Sequence, residues 1–233
     1  CDWSSDVCSS DLGRVLMPIR SIIQSTFFEN EALQSSQPPL LTVTGEFGAG
    51  VEAVGRDLAI KLNVKYFDYW VLDSIIREAR LNNELRKQMK SRRPPDLANW
   101  ISSFFGKGDS SNEEYQALLV KTVLGIAPMG GVIVGRGAHL ILSDFKVLRL
   151  KVEAGPEYCA IQVADRKGIS LKAARKMVAK INKERMKFVA DIYDKYPGCS
   201  SYYDLVLSSE IMSTQQIVDV AMSAMGVIHQ RAA

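Results

Sequence analysis

Three glycines, Gly45, Gly48 and Gly50, stand between an apolar run and an amphipathic one, and they are the first residues able to do chemistry. A loop of this kind lets backbone N–H groups close around an anion, and a helix starting behind it adds partial positive charge. Gly45 to Gly50, with Glu46, Phe47 and Ala49 between, form the opening of the pattern G-x-x-x-x-G-K-[ST]. The close of that pattern is missing. Val51 stands where the lysine belongs and Glu52 where the metal-binding hydroxyl belongs. A second candidate is Arg136, set between Gly135 and Gly137 directly after an apolar run. Its planar fork suits a phosphate approached closely by backbone. A third is the stretch from Arg166 to Lys187, with nine Lys or Arg residues against one acid, Glu184. Most of these line a solvated face, and two or three suit a visiting polyanion.

The elements that must hold these residues are read from periodicity. Leu40 to Thr44 is apolar and β-branched, which predicts a strand. Val54, Leu58 and Leu62 recur every fourth position, which predicts a helix. Val64 to Phe67 reads as a short strand ending at Asp68, and Val71 to Arg86 as a helix. Arg92 to Gly108 is irregular, and its Trp100, Phe104 and Phe105 suit an apolar contact with the core more than the lining of a ligand site. Asn112 caps a helix to Leu124, with Glu113 and Glu114 in its first turn. Val132 to Val134, Val147 to Val152 and Leu205 to Leu207 suit a buried parallel sheet. Ser170 opens a long helix to about Tyr193, and Ser213 to Met225 forms a last one, with Met222 and Met225 as core. The alternation implies an α/β fold with a doubly wound parallel sheet, whose ligands sit at the carboxyl ends of the strands.

Composition sets the remaining bounds. The chain has 233 residues, 47% hydrophobic and 24% charged, enough for a full core. No apolar run approaches about 18 residues, so no membrane span is expected. A net charge of +3 gives no ground for nucleic-acid binding. Four cysteines without metal-ligand spacing suit a reducing cytoplasm, and His139 and His229 have no partner cluster, so no metal site is expected. Residues 1–12 lack the features of a signal peptide and are read as a non-native tail. Residues 13–39 read as an N-terminal extension, with a short helix from Gly13 to Leu33 and a polar, proline-containing linker. The domain proper is 40–233.

The segments GEFGAGVEAVGRDLA, YFD, VIVGRGAHLIL, ADRKGIS, NKERMKF and YDLVLSS follow one another in the order found in the cytidylate kinase-like proteins. The chain resembles that family, within the P-loop nucleoside monophosphate kinases, over about Leu40 to Met225. The resemblance implies a five-stranded parallel sheet, an acceptor-binding insert at about 70–115 and a lid at about 160–200. It implies that Gly45, Glu46, Phe47, Gly48, Ala49, Gly50, Val51 and Glu52 hold the phosphates of ATP with Mg²⁺. Asp68 and Arg136 would face the acceptor monophosphate, and Arg136, Arg166 and Arg185 would surround the transferring phosphoryl group. Such a reaction rests on positioning and charge neutralisation, which arginines supply.

Four departures accompany the likeness. Val51 is bulkier than the family's small residue, Glu52-Ala53 replaces an Arg-Glu pair, Asn182 replaces an acid, and Tyr69 replaces a basic residue. Two functions follow: transfer of the ATP γ-phosphoryl group to CMP or dCMP, or nucleotide binding by a regulatory module without turnover.

Overall fold

Strand β1 (Leu40–Gly45) lies at the centre of a parallel sheet with β2 (Tyr66–Phe67), β3 (Gly131–Val134), β4 (Leu148–Glu153) and β5 (Leu205–Ser208). The computed structural model describes residues 38–89, 110–193 and 200–230. Its strand order is β2-β3-β1-β4-β5, each neighbouring pair parallel. The chain leaves β1 for β2 on one side and later crosses from β3 to β4 on the other. A crevice therefore opens beyond the carboxyl end of β1, the place where ligands bind in open α/β sheets.

Helices cover both faces: α1 (Val51–Leu62), α2 (Tyr69–Met89), α3 (Ser110–Ile126), α4 (Ala138–Ile141), α5 (Pro156–Lys167), α6 (Leu171–Tyr193) and α7 (Thr214–Gln230). Strand alternation divides the core in two. Leu41, Val43, Val132, Val134, Leu148, Leu150 and Val152 pack with α1, α5 and α7, while Leu40, Phe67, Ile133 and Val147 pack with α2, α3 and α4. Burying a side chain such as Leu58 or Leu119 stabilises the fold by about 1.5–3 kcal/mol. Helix α6 joins both clusters, the first through Ala174 and Val178, the second through Val189. It therefore crosses above the carboxyl ends of the strands.

The strands and long helices expected from periodicity fall within a few residues of their observed limits. Met225 is buried and Met222 packs against the same cluster. Ser170 Oγ accepts the Ala173 N–H at 3.3 Å, in the way of a cap. Helix α5 has no counterpart in the periodicity reading. Its inward residues Cys159, Ala160 and Val163 are small, and its stronger signals are Pro156 at the start and a left-handed Gly168 at the end. Residues 1–12, the Gly13–Leu33 helix and the Arg92–Gly108 segment lie outside the described residues. Among the described residues, no helix is long and apolar enough to cross a membrane.

Candidate active site

The glycine loop is shaped by close approaches at its base. A Cβ on Gly45 would meet the Val152 carbonyl oxygen at 1.9 Å, and one on Gly48 would meet the Cys159 carbonyl oxygen at 2.6 Å. Cys159 packs buried behind the loop, and burial pushes its thiol up to about 11. Gly50 caps α1 in a left-handed conformation, φ 83°, that other residues adopt only at a cost. The Ala49 N–H donates to the Glu46 carbonyl at 3.1 Å, which closes the turn.

The two residues after the loop diverge. Val51 is 2% exposed and belongs to the core, whereas Glu52 faces the crevice. The Phe47 N–H donates to Asn182 Oδ1 at 2.8 Å, and the Arg185 guanidinium donates to the Gly45 carbonyl at 3.3 Å. Arg185 Nη2 lies 3.6 Å from Glu52 Oε1. Helix α6 is thus fastened to the loop by polar contacts.

Opposite the loop, Gly135, Arg136 and Gly137 are all left-handed, with φ 76°, 55° and 68°. Flanking glycines permit this tight turn, and Arg136 itself carries the strain. Its guanidinium lies 4.0 Å from the Tyr69 ring centre, 4.5 Å from Phe188 and 5.6 Å from Tyr115. Aromatic faces at these distances attract a cation and hold its plane. Burial raises the Tyr115 hydroxyl above its usual range, against the opposing charge of Arg136. Asp68 caps α2, its Oδ1 accepting the Val71 N–H at 3.0 Å.

Between loop and arginine lies a cavity of about 700 Å³. Its wall brings together Gly45, Glu46, Phe47, Val51, Glu52, Asp68, Arg136 and Arg185. Gly48, Ala49 and Gly50 shape the loop from behind this wall. Arg166 stands apart, exposed in the last turn of α5, because that helix runs on past its last buried residue, Val163. Residues that periodicity did not select complete the wall: Thr44, Trp70, His139, Lys151, Asn182, Phe188 and Tyr203.

His139 is buried and stacked on Tyr203, ring centres 4.8 Å apart, with Nδ1 3.4 Å from Thr44 Oγ1. Its Nε2 has no hydrogen-bond partner among the described residues. Burial, and then the charge of Arg149, depress its pKa to about 3. Arg149 is itself held in a bidentate pair with Asp204, at 3.0 Å and 2.7 Å. Burial and then the Glu46 charge push the Tyr203 hydroxyl up to about 12. The histidine and the phenol are therefore both neutral at physiological pH. Cationic charge on the wall comes from Arg136, Lys151 and Arg185.

The sequence model of the cytidylate kinase-like family matches residues 40–211, from the first strand to just beyond the last. The chain belongs to the cytidylate kinase-like family. The cytidylate kinase of Methanopyrus kandleri is 24% identical to it over 202 residues, covering 82% of this chain and 95% of the relative. A solved structure of a protein from Eubacterium ventriosum ATCC 27560 has the same fold, with a TM-score of 0.65 at 20% identity, covering 82% of this chain and 99% of its own. A gluconokinase from Sinorhizobium meliloti 1021 gives a TM-score of 0.47 at 13% identity, over 84% and 95% of the two chains. The cytidylate kinase-like match takes in every expected site residue, from Gly45 to Arg185.

Proposed function

We propose that this chain is a nucleotide kinase that takes the γ-phosphoryl group from ATP and passes it to a nucleoside monophosphate, CMP or dCMP. The observation that carries this reading is one cavity with the glycine loop on one wall and the caged Arg136 on the other, bridged by α6, which sets Arg185 against the loop and Phe188 against Arg136. In this reading the loop and the N-terminus of α1 hold the donor phosphates. Arg136, its guanidinium over the Tyr69 and Phe188 rings, offers N–H groups to the acceptor phosphate. Trp70 and Tyr69 offer faces for a base. Residues of about 160–200 act as the lid, and Arg166 would reach the phosphates only through a movement of α5 and α6. Family membership supports the reaction class, and the name of the Methanopyrus relative supports cytidylate as the acceptor.

Among the described residues no three His, Cys, Asp or Glu side chains converge. Mg²⁺ in kinases is bound through one or two carboxylates plus the substrate phosphates. Glu46, Glu52, Asp68 and Glu184 are the carboxylates on the cavity wall from which such a contact would come. When bound, Mg²⁺ neutralises phosphate charge. The test is a coupled assay of ATP with each nucleoside monophosphate, in which CMP or dCMP should give the highest kcat/KM.

A second reading, a nucleotide-binding module without turnover, draws support from the buried Val51 and from the Asn182 contact on the loop amide. Nucleotide binding by calorimetry with no product in the coupled assay would favour it.

A further inference from the structure

We propose that Lys151 supplies, from strand β4, the ammonium group that the glycine loop lacks. The proposal rests on the kinase reading above and names a phosphate ligand for that same cavity.

The loop cannot supply this charge from its own helix, because position 51 is a valine packed into the core. Strand register brings another cation to the same place. Lys151 is paired with Thr44, the residue immediately before Gly45. Adjacent strands lie about 4.8 Å apart, a gap that a lysine's four-carbon stem can bridge. Alternation decides its direction: Leu148, Leu150 and Val152 enter the core beneath α1, so Lys151 projects on the opposite face. There it lines the cavity with Thr44, His139 and Tyr203.

Its surroundings suit a charge held in readiness. The Lys151 side chain is 17% exposed, and its Nζ donates to Glu153 Oε2 at 3.0 Å. Nζ also lies 3.9 Å from Glu46 Oε1 and 5.9 Å from the centre of the Tyr203 ring. Glu46 belongs to the glycine loop, so Lys151 already pairs with an anion on the surface that the donor phosphates would occupy. At 3.9 Å that contact is loose, whereas a polyphosphate brings several oxygens and more charge. Lysine is well suited to phosphate as a point charge.

In the transfer, the bond from the γ-phosphorus to the β–γ bridging oxygen breaks and that oxygen keeps the electron pair. An acceptor phosphate oxygen forms the new bond to phosphorus. Lys151 stays protonated throughout and offsets charge on the β- and γ-phosphates.

Titration of the purified protein with a non-hydrolysable ATP analogue and with AMP tests the assignment. Lys151→Met should weaken the analogue about 10- to 100-fold, as expected for a lost charge-assisted contact, and leave AMP nearly unchanged. Lys151→Arg should recover most of the loss. In the wild type, the analogue and not AMP should protect Lys151 from amine acylation followed by mass spectrometry, a readout that needs no variant to fold. Equal analogue affinity in wild type and Lys151→Met, or unchanged acylation, overturns the assignment and leaves the kinase reading standing. An equal loss in Glu153→Gln also overturns it, because the ion pair alone would then matter. A wild type that binds neither nucleotide overturns both.

Discussion

Asn182 Oδ1 accepts the backbone N–H of Phe47 at 2.8 Å, so a side chain of α6 occupies an amide of the glycine loop. In a phosphate cradle that N–H is among those that would turn to the anion. The contact must be released if the donor phosphates take this amide. A neutral hydrogen bond contributes about 0.5–1.5 kcal/mol. Asn182→Ala should therefore tighten ATP binding by roughly 2- to 10-fold, measured by calorimetry. Weaker binding would mean that Asn182 helps to shape the loop for its ligand.

Glu52 presents a second internal competitor. Its carboxylate holds Arg185 at 3.6 Å, and it would repel phosphate oxygens at the start of α1 unless Mg²⁺ intervenes. Glu52→Ser should lower the KM for ATP in excess Mg²⁺, and Arg185→Ala should raise it. If Glu52→Ser instead raises the Mg²⁺ concentration needed for half-maximal rate, Glu52 is a metal contact. Adding the absent lysine by Val51→Lys is a poorer experiment. Position 51 is buried, and a charged stem there should lower the melting temperature.

Arg136 should act on the acceptor alone. Arg136→Ala removes a caged guanidinium and leaves the loop on the far wall untouched. Monophosphate affinity should fall roughly 10- to 100-fold, the range for a charge-assisted contact, with ATP affinity nearly constant. Equal losses for both nucleotides in parallel titrations would mean that the site as a whole had collapsed. Arg136→Lys should not rescue it, because an ammonium lacks the planar fork that binds phosphate through two N–H groups.

The framework was legible in the sequence because the strands are short apolar runs and the helices carry regular apolar faces. Gly45, Asp68 and Arg136 stood out because each sits at a strand end, Glu52 because it holds a fixed place after the glycine loop, and Arg185 because it belongs to a basic run; all five line the cavity. Lys151, on the cavity wall, is masked inside Val147–Val152 by the apolar residues around it. Its signal was a charged residue alternating with Leu148, Leu150 and Val152, the mark of a side chain facing the other side of the sheet. Trp70 and Phe188 gave no local signal, since an aromatic at helical spacing reads as core. Arg166 lies away from this wall, because a basic run locates a helix face and says nothing about how far that face reaches.

The buried imidazole of His139 makes the stability of the fold depend on pH. Its folded pKa of about 3 lies below the ordinary value of 6.5, with burial as the main cause. The unfolded chain therefore binds a proton before the folded one does. Stability from this residue is present above pH 6.5 and is lost as pH falls from there towards 3. Urea unfolding at pH 7, 6, 5 and 4 should show the decline. His139→Phe, which keeps a ring against Tyr203 and cannot take up a proton, should flatten it relative to wild type. Carboxylates such as Asp204, lowered by Arg149 hydrogen bonds that outweigh its burial, also lose stability in acid. They titrate in both proteins, so the difference between the two curves isolates the imidazole. Parallel curves would mean that His139 takes up its proton in the fold, with Thr44 and the cavity solvating the charge.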